Sequence, residues 1–287
     1  MKNICIMPNT GKSAAIESAK GVIPFLVSKK INISAPEDAL RVLNIGDIKR
    51  VERGMSYDLA IVFGGDGTIL SAAHALAGTG TPILGVNLGR LGYLAQTGAY
   101  ELDDILERIL GGDFFVEHRA VLDGKITYSS TECASFYAFN DFTIHRGVPG
   151  GMLSIKTYIN NTYMDTFLAD GIIACTPSGS TAYNFSAGGP LVNPIAQNII
   201  MTPICPHGIF SRSIVLMKDD RLSFIPSVPN GETMPIFSAD GVDNIPLEAG
   251  CRVDISMSDI DFPLIRTEKY DFYDTLREKM FKDRSEN

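Results

Sequence analysis

Three stretches of the chain hold residues whose types and spacing can do chemistry. The first is GGDGT, residues 64–68. Gly64, Gly65 and Gly67 permit positive φ and a close approach of backbone amides to an anion. A helix beginning here would add free N–H groups and the positive end of its dipole. Gly64, Gly65 and Thr68 are therefore phosphate-binding candidates. Asp66 stands in the middle of this loop, where a carboxylate would repel the phosphate the loop attracts. Its placement makes sense if it works beside the phosphate, through a metal ion or on a nearby hydroxyl.

The second stretch is FNDFTIHRG, residues 139–147. Asn140 and Asp141 are neighbours, so in a regular strand they face opposite sides, and both reach one ligand only if the backbone bends. His145 and Arg146 follow, and Gly147 ends the run. The third stretch is ADGIIACTPSGSTAYNFSAGGP, residues 169–190. Thr176, Ser178, Ser180 and Thr181 crowd hydroxyls around Gly179, Thr181 is placed to open a helix, and Tyr183 offers a flat ring. Hydroxyls, exposed amides and one aromatic face suit a ribose and a purine.

These groups need elements to position them. NICIM (3–7) reads as a strand. A helical spacing over 13–30 follows, which Pro24 is expected to bend or restart. INI (31–33) reads as a second strand. PEDALRVL (36–43) opens with Pro and acidic residues, as a helix start should. DLAIVFGG (58–65) is a buried strand running into the glycine loop. TILSAAHALAG (68–78) puts Ile69, Ala73 and Leu76 on one helical face. PILGVN (82–87) is a strand, and ELDDILERILGG (101–112) an amphipathic helix with a glycine stop. The alternation predicts an α/β, Rossmann-like N-terminal domain over 1–112, with ligands collecting at the carboxyl ends of its strands. Residues 113–258 change texture to short alternating runs, with INNTY (159–163) as a hairpin tip and helical turns expected only at 181–188 and 194–198. This region is predicted to be a β-rich, sandwich-like C-terminal domain. A terminal helix within 259–287 is expected to pack back on the first domain.

NTGKS (9–13) looks like the end of a Walker A loop. The full pattern needs a glycine where Ile6 stands, so a plain strand-to-helix turn near a nucleotide is the better reading. The five cysteines, including Cys133, are scattered without CxxC spacing, which disfavours zinc and redox motifs and fits a reducing cytoplasm. Asp plus Glu exceed Lys plus Arg by 33 to 25, which argues against nucleic acid or an anionic membrane as partner. Pro8 and Asn9 break the first apolar run too early for a signal-peptide core. No run approaches the ~18 apolar residues of a membrane helix.

With these stretches in view, the sequence resembles the NAD kinase family. The likeness is carried by GGDGT (64–68), GVNLGRLGYL (85–94), NDFTIHRG (140–147), DGIIACTPSGSTAYNFSAGGP (170–190), TPICPH (202–207) and SADG (238–241). GGDGT alone is shared with phosphofructokinases and diacylglycerol-type lipid kinases; the 170–190 block is far more specific. The resemblance implies transfer of the γ-phosphoryl group of ATP, or of another donor, to the 2′-hydroxyl of the adenosine ribose of NAD, giving NADP. It implies Asp66 as general base and Mg²⁺ carried by the nucleotide phosphates, with no protein metal ligand assigned. It implies an NAD site of Gly67, Asn140, Asp141, Asp170, Ser178, Thr181, Ala182, Tyr183 and Ser186, with His145 and Arg146 assisting the phosphates. Relatives usually carry Glu where this chain has Asp141, and often Asp-Gly-Gln where it has DGV (240–242). A homodimer or homotetramer is implied as well. The alternative, a lipid kinase of the diacylglycerol type, would need an apolar groove or a basic membrane face, against which the 170–190 block and the acidic charge both argue. A non-catalytic NAD(P) sensor is disfavoured because Asp66 is present.

Overall fold

The computed structural model describes residues 1–281 apart from 47, 53, 90–91, 96, 99–101, 129–130, 148–150, 209, 230–233 and 269–270. The expectations at Cys133, at residues 90–91 of GVNLGRLGYL and at 282–287 lie outside the described residues or side chains. The chain forms two compact units, residues 1–118 with 262–287, and residues 119–261.

Strands and helices alternate in the first unit: β1 (Asn3–Pro8), α1 (Ser13–Ser28), β2 (Asn32–Ala35), α2 (Glu37–Leu43), β3 (Lys49–Arg50), β4 (Leu59–Phe63), α3 (Asp66–Ala75), β5 (Ile83–Asn87), β6 (Thr97–Gly98), α4 (Leu102–Leu110) and β7 (Phe115–Arg119). The second unit begins with β8 (Leu122–Tyr128), β9 (Thr131–Ala138), β10 (Asp141–Arg146), β11 (Leu153–Ile159), β12 (Thr162–Ala169) and β13 (Gly171–Cys175). A 3-10 turn (Ser178–Thr181) and the short helix α5 (Tyr183–Ser186) follow. Then come β14 (Asn198–Ile204), β15 (Ile214–Met217), β16 (Arg221–Ser227), β17 (Pro235–Ala239), β18 (Ile245–Pro246) and β19 (Arg252–Met257). The chain then returns to the first unit with β20 (Phe262–Arg266) and α6 (Phe272–Phe281).

The first sheet has the order β3-β2-β1-β4-β5-β20-β7, with β6 also on β5. The pairs β1–β2, β1–β4, β4–β5 and β5–β20 are parallel. All five residues of β4 are buried, as a central strand covered on both faces requires. The strand order reverses between β1 and β4, with β2 and β3 added on one side and β5 on the other, which makes the gap beyond their carboxyl ends the topological switch point where ligands bind in such sheets. Helix α1 runs unbroken through Pro24. Its buried stripe of Ala15, Ala19, Val22, Ile23 and Leu26 gains more from burial than the roughly 3 kcal/mol an interior proline costs.

Three features differ from the sequence reading. Residues 113–118 fall in the first unit, because β7 joins its sheet beside β20. The segment after 258 contributes a strand, β20, as well as a helix. Residues 194–198 form no helical turn; a simple turn at 194–195 precedes β14. FVEHR and FPLIR are short runs whose periodicity carries no information about which sheet receives them.

The second unit is two six-stranded sheets, β15-β14-β13-β10-β17-β18 and β12-β11-β16-β19-β8-β9. Their ladders are antiparallel, for example β10 with β13 and β11 with β16. Phe142, Ile144, Ile172 and Phe237 of one sheet share a core with Ile126, Ile155, Phe224 and Val253 of the other, which makes the unit a sandwich. The INNTY tip is a two-residue turn with Asn160 and Asn161 at φ 51 and 65 between the paired Ile159 and Thr162.

Candidate functional site

The first unit holds a cavity of about 580 Å³ at the switch point. Pro8, Asn9 and Lys12 after β1, Pro36 and Asp38 at the start of α2, and Gly65, Gly67 and Thr68 at the start of α3 line it. Asn9 ties the two loops together: its amide donates to Thr68 Oγ1 at 3.1 Å. Gly64 lies under Thr68, where an added Cβ would meet Oγ1 at 2.4 Å. Amides at the start of a ten-residue helix, a lysine and a threonine hydroxyl are what a polyphosphate needs. NTGKS, though no Walker loop, supplies Asn9, Thr10 and Lys12 to this wall.

Asp66 is the first residue of α3, yet its carboxylate is not part of that wall. It is turned onto the loop that follows β5. Oδ2 accepts from Tyr93 N at 2.9 Å, and Oδ1 accepts from Leu94 N at 3.0 Å and Ala95 N at 3.1 Å. Gly92 makes this approach possible, since a Cβ there would stand 2.1 Å from Asp66 Oδ1. Lys279 of α6 points its ammonium at the same carboxylate, 4.0 Å from Oδ2. The loop is fixed from behind by Arg266, which donates to Leu94 O at 3.1 Å and pairs with Glu117 at 3.2 Å, both side chains largely buried.

The second unit holds a separate cavity of about 470 Å³ lined by Asn140, Asp141, Thr143, His145, Ala182, Tyr183, Ser238, Asp240, Gly241 and Asn244. Residues 139–140 form a bend before β10, so Asn140 and Asp141 do line one cavity. Asp240 makes that bend. Its carboxylate accepts from Phe139 N, Asn140 N and Asp141 N at 2.9, 2.7 and 2.9 Å, while its own backbone sits at φ 48. Burial, and then the charge of Asp240, push the Asp141 carboxyl up to about 7. Burial also raises the Tyr183 phenol, with Asp141, Cys205 and Asp170 adding to the effect.

The TPSGSTAY segment is braced against this bend. Thr176 Oγ1 donates to Phe139 O at 2.8 Å and accepts from Gly179 N at 3.0 Å. Ser178 is buried, and its hydroxyl accepts from Arg119 Nη1 at 3.1 Å. Thr181 Oγ1 bonds Ser178 O at 3.2 Å. Neither hydroxyl lines the cavity. Asp170 pairs with Arg146 at 3.1 Å, and Ser186 is exposed; these three also lie off the cavity wall. Gly67, expected on the dinucleotide side, lines the first unit's cavity, whereas His145 lines the second's.

Comparisons with known proteins now bear on these two cavities. Residues 4–114 match the ATP-NAD kinase N-terminal domain, and residues 139–267 match the ATP-NAD kinase C-terminal domain. The NAD kinase of Caldanaerobacter subterraneus subsp. tengcongensis is 38% identical over 284 residues, 98% of this chain and 99% of the relative. The chain belongs to the NAD kinase family. A second NAD kinase, from Desulforamulus reducens, is 32% identical over 98% of this chain and 97% of its own length. Two solved structures share the fold. A yeast NADH kinase complexed with NADH has a TM-score of 0.91 at 23% identity, covering 100% of this chain and 89% of the yeast chain. An Archaeoglobus fulgidus NAD kinase in complex with ATP has a TM-score of 0.72 at 21% identity, covering 96% and 99%. The activity is that of an NAD kinase, and these relatives give the lipid-kinase alternative no support.

The structural roles of several residues of this NAD kinase family member were not read from sequence. Arg119, 1% exposed, reads as an ordinary polar residue in a strand. Asn184 is fully buried; its amide donates to Ser180 O and Pro190 O, and its Oδ1 accepts from Thr202. An Asp-Gly pair such as Asp240–Gly241 is a turn signal, but nothing local says that the turn's carboxylate serves a bend 100 residues away. Lys279 sat in a segment read only as a helix.

Proposed function

We propose that the first unit cradles ATP at residues 9–12 and 64–68, with Gly64, Gly65 and Thr68 against its phosphates, while the second unit holds NAD. In that unit Asn140, Asp141, Ala182 and Tyr183 contact the dinucleotide directly. Ser178 and Thr181 shape the segment that carries Ala182 and Tyr183. His145, which lines the cavity, and Arg146 are proposed to assist the phosphates, and Asp170 and Ser186 to reach the dinucleotide from beyond the cavity wall. Ser238 supports a polar ligand: its hydroxyl is buried, lines the cavity and has no hydrogen-bond partner among the described residues. In NAD kinase chemistry the 2′-hydroxyl of the adenosine ribose attacks the γ-phosphorus, ADP leaves and NADP forms.

Asp66 is proposed as the group that orients this hydroxyl and takes its proton. The observation that carries the reading is the geometry of its carboxylate. A carboxylate offers about four lone-pair sites. Leu94 N and Ala95 N occupy Oδ1 and Tyr93 N occupies one side of Oδ2, so among the described residues' hydrogen bonds a single site remains, on Oδ2. Backbone amides fix the side chain in one rotamer and leave one lone pair for a hydroxyl. Positioning of this kind supplies most of the acceleration in phosphoryl transfer.

Among the described residues no three His, Cys, Asp or Glu side chains converge as an ion cage. Mg²⁺ is therefore proposed as an ion held chiefly by the donor phosphates, which is the usual way this cation is bound. It would offset phosphate charge; the protein's own part is to bind, orient and move the proton. A homodimer or homotetramer and a cytoplasmic location complete the proposal, both resting on family likeness. No helix among the described residues is long and apolar enough to cross a membrane.

The test is steady-state NADP formation by wild type and Asp66→Asn. Loss of a general base costs about 10²–10⁴-fold in kcat, and KM for NAD is expected to hold within about threefold. An Asn variant at full speed overturns the reading.

A further inference from the structure

Lys279 poses a physical problem. It comes from α6, near the end of the described chain, and its side chain is only 29% exposed. Burial pulls its ammonium below the ordinary lysine value, against the opposing pull of Asp66. Yet it closes no hydrogen bond with that carboxylate: the 4.0 Å to Oδ2 is about 1 Å too long. Its other contact is the face of Tyr93, 4.0 Å from the ring centroid. Among the described residues, Asp66 and Tyr93 are the titratable groups in contact with it. The pair stands open, with the ring beside the ammonium.

The gap has a definite size. A 4.0 Å separation allows one oxygen atom at hydrogen-bond distance, about 2.8 Å, from both Nζ and Oδ2. The chemistry of the two partners says which oxygen this is. It must donate to a carboxylate and accept from an ammonium. A phosphoryl oxygen has no proton to give and would face the charge of Asp66. A hydroxyl does both.

We propose that Lys279 is a second catalytic residue, which with the remaining lone pair of Asp66 Oδ2 holds the acceptor hydroxyl between base and cation. The proposal rests on Asp66 taking the proton. As the hydroxyl oxygen attacks the terminal phosphorus, its proton passes to Oδ2 and a new O–P bond forms. The bond from phosphorus to the bridging oxygen breaks, and the nucleoside diphosphate departs with that electron pair. Lys279 keeps its protons throughout, and its charge offsets the negative charge rising on the attacking oxygen. The 93–95 amides hold the carboxylate, the Tyr93 ring holds the ammonium, and the substrate closes the pair.

The experiment compares Lys279→Gln, Lys279→Arg and Lys279→Met with wild type and Asp66→Asn. Removing one preorganised charge from a developing anion costs about 10²-fold. Lys279→Gln is expected to lose that much in kcat with KM for NAD and ATP unchanged, and Lys279→Arg to recover about tenfold of it. Wild-type kcat should fall on the alkaline side as the lysine loses its proton, while the Arg variant keeps its rate to higher pH because guanidinium stays charged. The double variant Asp66→Asn/Lys279→Gln should be no slower than Asp66→Asn, since the two act as a unit. Melting curves and NADP binding check the fold, and Lys279→Met, which keeps the packing on Tyr93, carries the same test should the Gln variant melt early. A Gln or Met variant with wild-type kcat, or one in which only KM for ATP rises, overturns the proposal and leaves the Asp66 reading standing. Full activity in Asp66→Asn removes both.

Discussion

Replacing Asp141 by Asn isolates one carboxyl whose environment can be turned into a number. Its side chain is 6% exposed and sits beside Asp240, and together burial and that charge move it from an ordinary 3.8 to about 7. The sign follows from proton counting. Below the lower value the folded and unfolded chains both carry the proton. Between 3.8 and about 7 the unfolded chain releases it and the folded chain keeps it, so stability falls as pH rises across that window and is level above it. At roughly 1.4 kcal/mol per tenfold change, the full effect is of order 4 kcal/mol. Asn has nearly the same shape and no charge in either state, so it escapes this loss. The stability gap between Asp141→Asn and wild type should be small near pH 4, widen to about pH 7, and then stop widening. Urea unfolding followed by circular dichroism reads it directly, and suits a chain without tryptophan. A gap that is constant across pH, or that narrows as pH rises, refutes the argument that this carboxyl is protonated when the protein folds.

Two further substitutions test close approaches. Gly92→Ala would place a Cβ 2.1 Å from Asp66 Oδ1 and displace the carboxylate from its amides; the chain should still fold, with kcat falling at least about tenfold, and an unchanged kcat would show that the amide contacts are irrelevant to turnover. Gly179→Ala would place a Cβ 2.1 Å from Asn140 O, a backbone atom that cannot step aside; a stability loss of about 1–3 kcal/mol and a raised KM for NAD are expected, measured by thermal melting and initial rates.

The alternation of the first unit was legible because its central strands are continuous apolar runs ended by glycine, and its helices repeat on one face. LAIVF followed by GGDGT declares both a buried strand and its carboxyl end. The pattern was silent on β7 and β20. Both are five-residue runs whose partner is chosen by the closure of the whole sheet, a long-range matter that local spacing does not encode. The same division runs through the site. Asn140 and Asp141 could be named from their types, and the need for a bend could be stated. The agent of the bend could not be named, because Asp240 acts through the backbone amides of a distant segment. Arg119 and Asn184 went unnoticed for a related reason. Each is a polar residue made structural by burial, and burial is a property of the finished fold.

The anion inside a phosphate loop, which the sequence presents as a contradiction, has a structural resolution with consequences for how the loop can work. A carboxylate pointing into the cavity beside α3 would cancel the field that attracts the donor. Here the helix start presents its amides to one side and Asp66 turns to the other, onto three N–H groups of residues 93–95. Those amides do for the carboxylate what the helix start is proposed to do for the phosphate. In the proposed arrangement two anions are stabilised by two sets of backbone donors from separate segments of the chain, and neither has to be neutralised by the other's surroundings. The arrangement demands that the 92–95 loop be stiff, and the buried Arg266–Glu117 pair that grips Leu94 O supplies that stiffness from the strands behind it. Weakening the grip should therefore slow turnover without touching any ligand contact. Arg266→Lys retains a charge for Glu117 but loses the planar fork that reaches Leu94 O as well. It is expected to lower kcat several-fold with both KM values unchanged, and equal kcat values in the two proteins would show that the loop holds Asp66 without help.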